Sequence, residues 1–123
     1  MTARNELVTL LETALEGQGI VVIPFLRSME PAKPTVMVRI DEVVPGTVTN
    51  AMRTYNFGLI CLVPQTTPGT ADDALDDLLE DVIFALEGSA VRNMVIFNRA
   101  TRATFEDKFP AYQVDTTVHI QKA

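Results

Sequence analysis

The chain has few of the side chains from which most catalytic and metal-binding sites are built. It contains one cysteine (Cys61), one histidine (His119) and no tryptophan. A single cysteine excludes an internal disulfide and a cysteine-based zinc cluster, and one histidine leaves little for a multi-histidine metal site. No apolar run approaches the roughly 20 residues that cross a bilayer, so we expect no membrane partner.

Basic side chains are scarce as well. Ten lysines and arginines stand against sixteen aspartates and glutamates, a formal net charge of -6. This is the wrong sign for a protein whose affinity for nucleic acid depends on neutralising phosphates. With 123 residues, 47% hydrophobic and 21% charged, the composition is otherwise that of one globular domain. We therefore expect a single domain over residues 1–123, with no cofactor and no metal.

Two segments show the three- and four-residue spacing of apolar side chains that predicts an amphipathic helix. The first covers about residues 4–16, and Gly17 and Gly19 are expected to end it. The second covers residues 71–88, with Thr70 as its N-cap.

Five segments are predicted to be strands. The last of them alternates strictly between apolar and polar residues, and the third is apolar on both faces near its end, which indicates a central strand. In chain order they lie in residues 20–25 (a strand expected to stop at Pro24), 35–43, 50–63, 93–107 and 111–121.

The resulting order α-β-β-β-α-β-β predicts a two-layer α+β fold with a mostly antiparallel sheet. Short connections favour an antiparallel meander for the first three strands, with both helices on one face of the sheet. The polar side of the last strand predicts that the other face is partly solvated or covered by a partner.

The densest chemical feature is a set of carboxylates on the second helix. Residues 72–87 hold seven of the sixteen acids and none of the ten bases, which leaves nine acids against ten bases elsewhere. Carboxylates four residues apart could bind a divalent cation or act as acid and base, but a solvated helix face opposite the leucines is the favoured interpretation. Such a patch can repel DNA or pair with a basic partner. Its candidate members are Asp72, Asp73, Asp76, Asp77, Glu80 and Asp81.

The remaining candidates are isolated side chains. His119 and Asp115 share one face of the last strand, but no nucleophile accompanies them, so an exposed strand histidine is favoured over a catalytic pair. Cys61 falls in a core strand and is expected to be buried and unreactive.

Basic and apolar residues outside the acidic helix suggest contact surfaces. Arg92, Arg99 and Arg102 could dock on the acidic helix of another subunit, although solubilisation is the commoner role of such residues. Apolar residues within 41–54 are also suggestive of a contact surface.

The segment ADDALDDLLEDVIFALEG, followed by a strand pair that ends in FPAYQVDTTVHIQKA, resembles the tail-terminator (minor tail U-type, tail-completion) proteins of long-tailed bacteriophages. Members are of this length, begin with a leucine-rich helix and place an acidic helix before the last strands. Tyr112, Val114 and Val118 follow the family's final-strand pattern. The resemblance extends over most of the chain in the order of its helices and strands.

The resemblance implies a structural protein without enzymatic activity or a cofactor. Its partners would be other copies of itself in a hexameric ring, the tail tube protein whose polymerisation it ends, and the head-tail connector protein. DNA would pass through the channel without specific binding, and the protein would lie in the virion tail after assembly in the host cytoplasm. As a hypothesis, the acidic helix would line the lumen or lie at a subunit interface with Arg99 and Arg102.

Two alternatives stay open. Within the same structural class, the chain could be a head-tail connector or stopper protein of the neck. In a different class, it could be a small metal-dependent hydrolase or ligand-binding domain that uses the aspartates. Divalent-ion binding that is lost on substitution of Asp76 and Asp77 would favour the second alternative.

Overall fold

A computed structural model describes residues 3–29, 31–45, 52–65, 67–89 and 95–121 of the chain. The elements follow the predicted order, which confirms the two-layer α+β class. They are α1 (Ala3–Ala14), β1 (Val21–Ile23), β2 (Thr35–Pro45), β3 (Met52–Leu62), α2 (Pro68–Ser89), β4 (Val95–Phe105) and β5 (Phe109–Gln121).

The five strands form one sheet in the order β1-β2-β3-β5-β4, so β3 is central, as predicted. Three of the four pairings are antiparallel. The predicted meander is wrong at β1, since Val21–Ile23 pair in parallel with Thr35–Met37. Residues 24–34 return the chain to the end of the sheet where β1 began, so β2 enters in the same direction as β1.

Both helices pack against one face of the sheet, and their apolar sides form the main core with alternate residues of the strands. This confirms the predicted helix stripes and strand faces, which follow from the 3.6-residue and two-residue periods of the elements. The largest fully buried side chains of the main core are Leu7, Leu11, Val36, Val38, Phe57, Leu59, Val63, Leu75, Val82 and Leu86.

A second, smaller apolar cluster lies on the other face at one end of the sheet. Met29 and Phe105 pack against it. The Glu106 carboxylate holds the Ser28–Met29 segment in place over the cluster. It accepts hydrogen bonds from Ser28 Oγ at 2.8 Å and from Met29 N at 3.3 Å. The buried members are Ile23, Met37, Ile60, Leu62, Phe109 and Ala111.

The helix ends follow backbone chemistry, with one departure from prediction. Gly17 and Gly19 adopt positive φ angles of 82° and 72° after α1, as expected of glycines that end a helix. The predicted N-cap Thr70 is wrong, because α2 begins at Pro68 and the Thr67 carbonyl accepts a 2.8 Å hydrogen bond from Ala71 N. Proline suits this first turn, where its missing N–H costs no helical hydrogen bond. Neither described helix is both long and apolar enough to cross a membrane.

Two substitutions on α2 test how the helix is held. Leu75 is fully buried, whereas Phe84 on the same helix is 79% exposed. We expect Leu75→Ala to lower the free energy of unfolding by about 2–5 kcal/mol, through lost burial and a residual cavity. Phe84→Ala should change it by less than about 0.5 kcal/mol. Urea unfolding of both variants measures the difference, and equal losses would show that α2 does not pack on the sheet through this stripe.

Candidate functional site

The outward side of α2 carries all six predicted carboxylates, and each of them is exposed. We call these residues, Asp72, Asp73, Asp76, Asp77, Glu80 and Asp81, the acidic face. Leu75, Leu78 and Val82 lie on the opposite side of the helix and are buried against the sheet. The prediction of a solvated helix face is therefore confirmed, while its role in a lumen or interface stays a prediction.

One basic side chain of the same chain reaches the acidic face. Arg102 on β4 donates from Nη2 to Asp72 Oδ1 at 2.6 Å, and this hydrogen bond raises the pKa of Arg102. The guanidinium lies 5.5 Å from the centroid of the Tyr112 ring, and the Tyr112 hydroxyl makes a long 3.5 Å hydrogen bond to Asp76. Within the described residues, Asp72 is the only member of the acidic face in an ion pair.

Arg99 lies on the other face of the sheet, so the structure separates the two arginines. Its Nε donates to Asp115 Oδ2 at 2.8 Å. Residues three apart on a strand project to opposite faces, and Arg99 and Arg102 follow this alternation. Arg92 lies outside the described residues, as do residues 46–51 of the predicted contact stretch.

A chain of side-chain hydrogen bonds crosses four strands on this second face. Asn98 on β4 donates to Thr117 Oγ1 at 2.7 Å, and Thr117 on β5 donates to Asn56 Oδ1 at 2.9 Å. Asn56 on β3 in turn donates to Glu42 Oε1 on β2 at 2.9 Å. Local sequence patterns do not predict this network, because it forms only when β5 lies between β3 and β4. The sequence signals for it are the alternating polar residues of β5, which include Thr117, and Asn56 within the apolar stretch of β3.

Charged pairs flank the network. Arg39 and Asp41 form an ion pair that lies over Gly58, where a Cβ atom would come within 2.7 Å of Arg39 Nη2. Gly58 pairs in register with Asp115, which also accepts a 3.0 Å hydrogen bond from Gln113 Nε2.

An open depression of about 300 Å³ lies among these groups, and its polar lining includes Asp41, Asn56, Asn98, Arg99, Gln113 and Asp115. The hydrogen bond from Arg99, then that from Gln113, lowers the pKa of Asp115. The carboxylate is therefore ionised and held in place at neutral pH. Opposite charges and matched donors and acceptors give this face a fixed polar surface. We call Arg39, Asp41, Glu42, Asn56, Asn98, Arg99, Gln113, Asp115 and Thr117 the polar sheet face.

The isolated candidates lie apart from one another. His119 Nδ1 lies 3.1 Å from Thr54 Oγ1, while the Asp115 carboxylate engages Arg99 and Gln113. Cys61 is buried as predicted, and desolvation raises its pKa to about 12, which keeps it a neutral thiol. Among the described residues, no three histidine, cysteine, aspartate or glutamate side chains come together in a way that could hold a metal ion.

Comparison with known proteins found no family model that matches the chain, and no curated protein with significant similarity to it. The likeness to phage tail terminators thus depends on the order of the helices and strands and on the segments ADDALDDLLEDVIFALEG and FPAYQVDTTVHIQKA.

Asp115→Asn tests whether the polar sheet face contributes to stability. A lowered pKa in the folded state adds stability that is present above the unfolded aspartate pKa of about 3.9 and is lost as the pH falls through the folded value. Since the Arg99 side chain is 76% exposed, we expect a loss of only about 0.5–1 kcal/mol at pH 7. That loss should begin to shrink below pH ~4, where the unfolded carboxyl takes up a proton, and it should become smallest once the folded carboxyl is protonated as well.

Urea unfolding at several pH values measures this difference. Glu12→Gln removes one exposed carboxylate on α1 and serves as the matched control, with little change expected at any pH. A difference between Asp115→Asn and the native protein that stays constant from neutral to acidic pH would contradict the assignment.

Proposed function

We propose that this protein is a structural component of a phage tail that closes into a ring on the end of the tail tube and stops its polymerisation. The observation that carries the proposal is the acidic face: the net negative charge of the chain lies on the exposed side of one helix. A ring wall with this charge repels DNA phosphates, so DNA could pass along it without being bound. The element order, which is the order of the family that the sequence resembles, supports the same conclusion.

The acidic face is costly for the isolated helix. Asp72–Asp76, Asp73–Asp77, Asp76–Glu80 and Asp77–Asp81 are like-charge pairs at i,i+4 spacing, and each such pair disfavours a helix by about 0.2–0.5 kcal/mol. The favourable effect of acids near a helix N-terminus fades beyond the first turn, and α2 begins at Pro68. Neither stability nor solubility requires so dense a set on one helix. We infer that the acidic face has a function in the assembled particle, where it lies opposite another component.

The groups with shifted pKa values also support a geometric function. Asp115 is held ionised by Arg99 and Gln113, and Cys61 is held as a thiol by burial. A general base or a nucleophile at neutral pH needs shifts of the opposite sign, towards a carboxyl pKa near 7 or a stable thiolate. Asp115 belongs to the fixed polar sheet face, and Cys61 belongs to the core.

Mass and shape measurements test the ring. We expect light scattering over a wide concentration range, or mixing with tail tubes, to give closed rings of about six subunits that negative-stain images resolve. Added to polymerising tube protein, these rings should stop tube growth. Rings that bind tubes but leave growth unaffected would favour the neck-connector alternative. A chain that stays monomeric and does not bind tube ends would contradict the proposal.

A charge-removal variant tests the acidic face itself. Replacing Asp73, Asp76, Asp77 and Asp81 with asparagine should leave the fold intact, because these side chains are exposed. We expect correctly terminated, DNA-ejecting particles to fall by on the order of tenfold or more, since the wall would no longer repel phosphates.

The matched control replaces Glu6, Glu12 and Glu16 with glutamine and Asp107 with asparagine, which removes the same charge from exposed positions elsewhere. This control should assemble and eject DNA normally. Normal termination and ejection by the α2 variant would show that the acidic face does not have this role.

A further inference from the structure

Both lateral edges of the sheet present strand backbone that no described strand covers. On one side β4 (Val95–Phe105) ends the sheet and pairs only with β5. On the other side β1 pairs with β2 only at Thr35–Met37. The rest of β2, residues 38–45, therefore has no described strand on its outer side. We call these two segments the β4 edge and the β2 edge.

Exposed apolar side chains concentrate at these edges. Six large hydrophobic residues are exposed among those described, and five lie in or next to the outer strands. Val43 is on the β2 edge and Ile96 is on the β4 edge, each nearly half exposed. Val21, Phe25 and Leu26 extend the apolar surface beside β1, while Phe84 on α2 is the sixth. Long apolar sheet edges invite pairing with another chain unless charge, proline or a covering element blocks it.

The two edges have complementary charge. The β4 edge carries Arg99 and Arg102 and no acid, whereas the β2 edge carries Asp41 and Glu42 against Arg39. The Arg99 side chain is largely exposed even while it contacts Asp115, so it can reach a second carboxylate. Asp115 and Asp72 already engage these arginines, so repulsion between two β4 edges is modest. Glu42 is in no ion pair among the described residues, and it gives the β2 edge a carboxylate that attracts an arginine of the β4 edge.

Strand directions allow the same pairing. β2 and β5 run parallel to each other, because each is antiparallel to β3, and β4 runs opposite to both. Rotation of a copy about an axis along the strands preserves these directions. The β4 edge of one copy would then meet the β2 edge of the next in the antiparallel orientation, in which strand pairing is slightly more stable.

We propose that copies of this chain assemble head to tail by antiparallel pairing of the β4 edge with the β2 edge of the next copy, which continues the sheet around the ring. This inference rests on the proposed ring and names its interface. A head-to-tail contact closes into a ring when its rotation allows closure. Because both helices lie on one face of the sheet, every acidic face would lie on the same side of the ring wall.

Lysine substitutions at the two edges test the interface. Ile96→Lys and Val43→Lys place a charge on an exposed edge, a change that blocks strand addition in natural sheets. Each variant should keep the circular dichroism and unfolding midpoint of the native chain, while ring formation shifts to concentrations on the order of tenfold higher or is lost. Phe84→Lys removes an even more exposed apolar residue from α2 and should leave rings intact.

Cysteine cross-linking identifies the paired edges directly, since the buried Cys61 will not interfere. Each double variant carries one cysteine on β4, at Ile96 or Thr101, and one on β2, at Glu42 or Val44. All four positions lie on the polar side of the sheet. On oxidation, at least one of the four combinations should give a ladder that extends beyond dimers. Single-cysteine variants should not link.

The outcomes separate the interface from the function. Rings that survive both lysine variants, without any ladder, would overturn the edge pairing and leave the proposed function standing. Dimers from Ile96→Cys or Thr101→Cys alone would overturn it in favour of symmetric β4–β4 pairing. A native chain that forms no ring even on tube ends would overturn both proposals.

Discussion

The alternation of side chains along β3 is the constraint on which the rest of the fold depends. Phe57, Leu59 and Cys61 face the helices, while Ile60 and Leu62 face the second apolar cluster. Towards the other end of the strand, the second face changes from apolar residues to Gly58, Asn56 and Thr54. Because the side-chain period is two, a slip of one residue would place polar residues under the helices and expose the core. The registers of β2 and β5 on either side are therefore strongly specified.

The packing of α2 on this sheet explains how the helix tolerates the negative charge on its outer side. Burial of a leucine or valine side chain contributes about 1.5–3 kcal/mol, and α2 buries Leu75, Leu78, Val82 and Leu86 against the sheet. Like-charge repulsion on the outer side costs only a few tenths of a kcal/mol per pair. The helix forms because its apolar side packs on the sheet. The residues on its outer side can therefore be selected for the surface that they contact in an assembly. The Arg102–Asp72 ion pair likewise reduces the net negative charge at one end of the acidic face and does not determine the fold.

Local periodicity predicted the elements and their faces but not the partners of each strand. The stripes of α1 and α2, the central position of β3 and the burial of Cys61 follow from short-range patterns in the sequence. The parallel pairing of Val21–Ile23 does not, because it depends on the path of the connection that follows. The network of Glu42, Asn56, Thr117 and Asn98 was equally hidden, since four strands must be ordered in space before these residues meet. The start of α2 at Pro68 does not follow from local patterns either, because Pro64, Pro68 and Gly69 are residues typical of a loop.

The edge pairing and the acidic face act against each other in the proposed ring. If every acidic face lies on one side of the wall, closure brings negative helices towards one another, and their repulsion opposes assembly. This repulsion is screened over about 8 Å at physiological ionic strength, whereas backbone pairing and apolar contact at the edges act at short range and depend little on salt. Assembly then requires edges that are long and apolar enough to offset the charge. The exposed Val43 and Ile96, which are a liability for a monomer, have a physical reason to exist in that arrangement.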